Sequence, residues 1–273
     1  MNMSDSFFVL TDADGAEGAL HVKPYVHETL DSKSLHFSMD EIQSTMNLLR
    51  PDALALAYTR TMMGFLLFKP RPATLAMIGL GGGSLAKFCH RHLPATRVKV
   101  LEINPHVLAL RREFQVPDDD ARFKVLLADG ADFIRFAPYQ LDVLLVDGFD
   151  YHGQPPSLCS QRFYDDCRDA LQPGGLLVAN LHTGHTDFAL HLARIERSFA
   201  GELLAISDED CSNTIVIACR GRLPQLQRAS ALRCPPGFDA DAWAGLLPAL
   251  EQVVAASRLA QADADDARRR FVC

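Results

Sequence analysis

Several features that would set the chain apart from an ordinary soluble domain are missing. It has one tryptophan in 273 residues, no CxxC pair among its seven cysteines and no evident internal repeat. The longest apolar run, around Met62 to Phe68, is far too short to span a bilayer, so no membrane partner is expected. The cysteines (Cys89, Cys159, Cys167, Cys211, Cys219, Cys234 and Cys273) are odd in number and scattered, which fits reduced thiols rather than a disulfide framework. Basic residues are in deficit, 27 Lys and Arg against 34 Asp and Glu with net charge -7. No phosphate-backbone binder is indicated, and no nucleic-acid partner is expected. The first residues lack the basic start and apolar stretch of a signal peptide, so the expected location is cytoplasmic. What is present is an ordinary folding composition, 48% hydrophobic and 22% charged with mean hydropathy +0.01. The length suits one large domain, or a main domain with a small companion, and a sizeable core.

Three stretches differ in rhythm. Residues 1–45 read as a small β unit, with strands at Phe7–Leu10, Ala19–Val22 and Ser34–Phe37 and a turn at Asp12–Gly15. Residues 46–222 open with a helix over Pro51–Phe68, closed by Pro70 and Pro72. Short continuous apolar runs then recur at Leu75–Ile78, Val98–Ile103, Phe123–Leu127, Leu141–Val146 and Leu176–Leu181. Helical segments lie near 83–93, 105–115, 130–137, 160–171 and 186–199, and two more strands at Leu203–Ile206 and Thr214–Cys219. Strand and helix in alternation predict right-handed crossovers and a mostly parallel, seven-stranded α/β sheet of Rossmann-like type. Residues 223–273 read as a helical tail on the surface, ending in the charged Asp263–Arg270 stretch.

Ligands of such sheets bind beyond the carboxyl ends of the strands. The first of these ends runs Gly79-Leu80-Gly81-Gly82-Gly83-Ser84, where glycines permit a sharp turn and close approach to a ligand. The second ends at Glu102, a carboxylate able to accept from both ribose hydroxyls of a nucleoside. The third ends in Asp129-Gly130, where an acid can accept from an adenine amino group. The fourth runs Asp147-Gly148-Phe149-Asp150-Tyr151. Four acids in one crevice repel one another unless a cation or donors occupy it, so the crevice suits a sulfonium nucleoside and a cationic amine. A nicotinamide cofactor would leave Asp129 and Asp147 without a role. His182, His185 and His191 follow the fifth strand without the carboxylate or cysteine company of a zinc site, and no metal is expected. His90 and His92 read as surface residues, and Cys159 and Cys167 as packing residues.

These four segments, together with Leu171-Gln172-Pro173-Gly174-Gly175, resemble the polyamine aminopropyltransferases, the spermidine synthase family, on a class I methyltransferase-like fold. The resemblance spans about 75–181 and extends more loosely forward, where Gln43 and Tyr58 resemble a cofactor-contacting glutamine and a gatekeeping tyrosine. It implies that Glu102 holds the ribose, that Asp129 and Gly130 hold the adenine, and that Gly79, Gly81 and Gly83 form the cofactor loop. Asp147 would be the catalytic acid–base and Asp150 an amine contact, and Tyr164 resembles a position near the amine. The donor implied is decarboxylated S-adenosylmethionine, or S-adenosylmethionine itself, with a small-molecule amine as acceptor and a homodimer as the assembly. Gly82 stands where the family carries an aspartate that meets the amino end of the decarboxylated donor. Gly82→Asp is therefore expected to shift donor preference. Asn104 replaces another family aspartate, Thr59-Arg60 replaces a polar pair, and no family closing segment is recognisable in 203–273. A methyltransferase and a non-catalytic nucleoside-binding relative remain as alternatives.

Overall fold

The computed structural model describes residues 21–37, 42–136, 141–150, 153–207, 212–226 and 232–271. The strand expected at Phe7–Leu10 and the turn at Asp12–Gly15 lie outside them, as do Tyr151, Cys211 and Cys273. A small antiparallel sheet is built from β1 (Tyr25–Glu28), β2 (Ser32–His36) and β3 (Ile42–Asn47), paired in that order. Leu35 and Met46 point from it into the core.

The chain next forms α1 (Ala57–Met62), continued by a 3-10 turn over Met63–Leu67. This is shorter than the helix expected from Pro51. The Arg60 guanidinium donates to the carbonyls of Leu54 (2.8 Å) and Ala55 (2.9 Å), supplying from a side chain the donors a preceding helical turn would have provided.

The alternation that follows gives β4 (Thr74–Ile78), α2 (Ser84–His92), β5 (Arg97–Glu102), α3 (Pro105–Ala109), β6 (Phe123–Leu127), α4 (Gly130–Arg135) and β7 (Leu141–Val146). It continues through α5 (Gln161–Ala170), β8 (Leu171–His182), α6 (Phe188–Ser198), β9 (Leu203–Ser207) and β10 (Asn213–Cys219). The strands form one sheet in the order β6-β5-β4-β7-β8-β10-β9. The first five are parallel, and β10 runs antiparallel to both neighbours. Every residue of β7 is buried, which accounts for the apolar run Val143–Val146, while the buried Asp142 is satisfied by the Ala73 and Thr74 amides and the Lys69 ammonium. One core lies on each face of the sheet. α3 stops well before 115: the Leu110 and Arg111 amides bond three residues back, to Val107 and Leu108, and the turns that follow close at Gln115 with a left-handed φ of 54°.

Two expectations are corrected. The last helix, α7 (Ala240–Phe271), is not a solvated tail. Trp243, Leu246, Leu250, Val253 and Val254 recur at helical spacing and are buried in the core, covering one face of the sheet as an amphipathic helix does. Gly64 admits this contact, since a side chain there would meet Val253 Cγ2 at 2.8 Å. His92 is buried rather than on the surface. Its ring lies against Phe88 and Phe238, with centroids 4.6 and 5.7 Å away, and its Nε2 is 3.3 Å from Asp52. His90 is half-buried and pairs with Asp120 at 3.1 Å.

Candidate active site

The connections from β4 run to one side of the sheet and those from β7 to the other, so a crevice opens at the carboxyl ends of these two strands. A cavity of about 310 Å³ lies there. Its wall on the open side comes from the small sheet, through Leu35, Phe37 and Gln43, and from Tyr58 on α1.

The glycines after β4 do different things. Gly79 has φ 95°, and a Cβ on it would lie 2.2 Å from the Asp147 carbonyl oxygen, so it lets the ends of β4 and β7 close on each other. Gly81, with φ 53°, faces the cavity. Gly83 caps α2 and packs against Val116, outside the cavity lining. Gly82 also lies outside the lining, and a Cβ there would sit 2.6 Å from Ser44 Oγ and 2.9 Å from Phe114 Cδ1. A side chain at 82 would therefore press on Phe114 and on Ser44, which itself lines the cavity.

Glu102 ends β5 and is buried. Its Oε2 accepts from the Leu80 amide at 2.9 Å and its Oε1 from the Asn104 amide at 2.8 Å. Burial raises its pKa, against the lowering effect of these amides. The Gly81 and Ile103 amides also favour its ionised form. Asn104 caps α3 by accepting from the His106 amide and donates to the Val22 carbonyl, both at 2.9 Å. An aspartate could do only the first, which gives this departure from the family pattern a physical reason.

Asp129 caps α4 through one oxygen, accepting from the Ala131 amide at 2.7 Å. It lines the cavity together with Gly130. Gly130 packs on Ile78, whose Cγ2 is 2.5 Å from where a Cβ would sit.

Asp147 follows β7. Its Oδ1 accepts from Asn180 Nδ2 at 2.9 Å and its Oδ2 from the Tyr58 hydroxyl at 3.3 Å. Burial pushes its carboxyl pKa upward, and the two hydrogen bonds pull it down by less. Burial first, then the Asp147 charge, raise the Tyr58 hydroxyl well above its ordinary value, keeping it a donor. Asp150 is exposed at the mouth of the cavity, in a turn whose backbone bonds reciprocally with Gly153 at 2.8 and 3.2 Å.

Among the expected site residues, Gln43, Tyr58, Gly79, Gly81, Glu102, Asp129, Gly130, Asp147 and Asp150 share the cavity. Tyr164 does not reach it. Its side chain is fully buried in the core on the α5 side of the sheet, because α5 turns its apolar face inward. Arg60 likewise turns away, held on the carbonyls of residues 54 and 55. Reading the sequence missed Asn180, and the available signal was a polar residue near the end of an otherwise apolar strand. It also missed the histidine neighbourhood after β8, where Asp187 supplies the carboxylate company thought to be absent.

Known proteins resemble this chain in sequence and in fold. The sequence model of the spermine/spermidine synthase domain matches residues 55–198. A polyamine aminopropyltransferase of Neisseria meningitidis serogroup A is 38% identical over 195 residues, covering 71% of this chain and 74% of that protein. One from Chromobacterium violaceum is 37% identical over 209 residues, covering 76% and 80%. The crystal structure of a probable spermidine synthase from Corynebacterium glutamicum superposes with a TM-score of 0.62 at 23% identity, covering 72% of this chain and 76% of that one. The chain belongs to the spermine/spermidine synthase family, on a methyltransferase-like fold.

Proposed function

We propose that this cavity transfers an aminopropyl group from decarboxylated S-adenosylmethionine to a small amine, with Asp147 as the base. The chain is an aminopropyl-transferring enzyme of its family; the donor's form and the roles of individual residues are our reading. One observation carries it. Glu102, Asp129, Asp147 and Asp150 all line the cavity, and no lysine or arginine is among the described lining residues. A sulfonium donor and an ammonium acceptor relieve that charge, whereas the carboxylate of S-adenosylmethionine would add to it.

Glu102 receives the ribose hydroxyls, and Asp129 with Gly130 borders the base. The acceptor amine, with a pKa near that of lysine, about 10, arrives protonated. Asp147 takes its proton, and the freed lone pair attacks the carbon beside the sulfonium. The C–S bond breaks with its electron pair passing to sulfur, leaving a neutral thioether and a new C–N bond. A carboxylate of raised pKa is a stronger base than an ordinary one. Tyr58 and Asn180 fix its orientation while the amine is aligned, and Asp150 meets the amine's far end.

A methyltransferase reading finds one support, the absence of an acid from the cavity face of the glycine loop. Side-by-side calorimetric titration with the two donors, followed by product analysis with a diamine, separates the readings. Tighter binding of the decarboxylated donor and an aminopropylated product are expected. Preference for the carboxylate-bearing donor with methylated product would overturn the proposal.

A further inference from the structure

A second cluster of chemically capable side chains lies after β8, outside the cavity lining. The turn into α6 brings His185, Asp187 and His191 together, with one ligand atom from each all within 4.8 Å of one another. The two imidazoles lie side by side, centroids 5.5 Å apart. His191 is buried on the first turn of α6, His185 is half-buried and Asp187 is exposed.

The local structure points these groups at one another rather than at other partners. Asp187 occupies the N-cap position of α6, where an aspartate ordinarily accepts from the first free amides, yet its carboxylate makes no capping bond. It forms no ion pair or hydrogen bond with any described residue, and neither does the His191 ring form a hydrogen bond. The nearby cation, Arg194, is engaged on the Cys159 carbonyl at 2.7 Å. His185 Nδ1 accepts from the Asp187 amide at 3.1 Å. A metal ion would either displace that amide at Nδ1 or take Nε2 after the ring turns over.

We propose that the β8–α6 turn binds a divalent transition-metal ion of the Zn²⁺ type through His185, Asp187 and His191, with water completing the shell. Two imidazoles and a carboxylate are a donor set suited to such ions, and three protein ligands leave one position open. Ligand atoms around tetrahedral zinc sit roughly 3.3 Å apart, from metal–ligand bonds of about 2.0–2.1 Å, so binding draws the three groups inward by about an ångström. The His185 ring also lies 3.9 Å from where a Cβ on Gly153 would sit, so the site is adjacent to the turn that carries Asp150.

The test uses untagged full-length protein and Co²⁺ as a spectroscopic probe, with Zn²⁺ as competitor. One equivalent of Co²⁺ should bind with visible ligand-field bands and without the intense near-ultraviolet band of thiolate ligation, and Zn²⁺ should displace it one for one. His185→Ala and Asp187→Ala, each verified as folded by circular dichroism and thermal melting, should weaken binding tenfold or more. A thiolate band, unchanged affinity in both variants, or no saturable binding would each overturn the proposal.

Discussion

Glu102 and Asp147 end the two strands that flank β4, and burial raises the pKa of both. They differ in what holds them. Glu102 accepts from the amides of Leu80 and Asn104, which are part of the backbone and cannot withdraw. Asp147 accepts from Tyr58 and Asn180, side chains that can yield to a substrate. A carboxylate clamped by main-chain donors is suited to binding a neutral hydroxyl repeatedly in one place. One held by side chains, at a cavity floor with its pKa raised, is suited to gaining and losing a proton. A pKa raised by burial thus serves two kinds of task, and the donors distinguish them.

The sharpest way to break the comparison is Asp147→Asn. Single-turnover transfer should fall by about 10²–10⁴-fold, the usual contribution of a positioned base, while calorimetric donor affinity stays within severalfold. Near-normal transfer would remove Asp147 as the base. Glu102→Ala should show the opposite pattern, costing about 1–3 kcal/mol of donor binding for a lost charge-assisted hydrogen bond. It should also lower the melting temperature, because the Leu80 and Asn104 amides lose their acceptor. Unchanged affinity would take Glu102 out of the ribose site.

Gly82→Ala tests the loop between them. Overpacking against Ser44 and Phe114 should cost about 1–3 kcal/mol of stability by denaturant titration, with donor preference unaltered. A changed preference with no loss of stability would mean that residue 82 faces the donor. The smallest expected effect is in the pH profile. Transfer requires ionised Asp147, so the rate should decline as pH falls through its raised pKa. Asn180→Ala removes a donor that favours the ionised form, raises that pKa further, and should move the acidic limb upward by roughly half to one pH unit, the equivalent of one hydrogen bond of about 1 kcal/mol. An unmoved limb would show that Asn180 does not tune the carboxylate.

The sequence by itself determined the α/β alternation, because strands buried on both faces must be continuously apolar and the helices between them amphipathic. Strand ends such as Glu102, Asp129 and Asp147 were legible for the same reason, since each polar residue interrupts an apolar run at the sheet's carboxyl edge. The tertiary structure alone decided which of these neighbours act together. Whether Tyr164 lines a cavity or a core, and whether the last helix is solvated or packed, depend on side-chain direction relative to distant segments. The pairing of Asp147 with Asn180, 33 positions along the chain, and with Tyr58, 89 positions away, depends on the same thing. Local pattern encodes periodicity, which one segment can display alone. Contacts between segments exist only once the sheet order has brought them together.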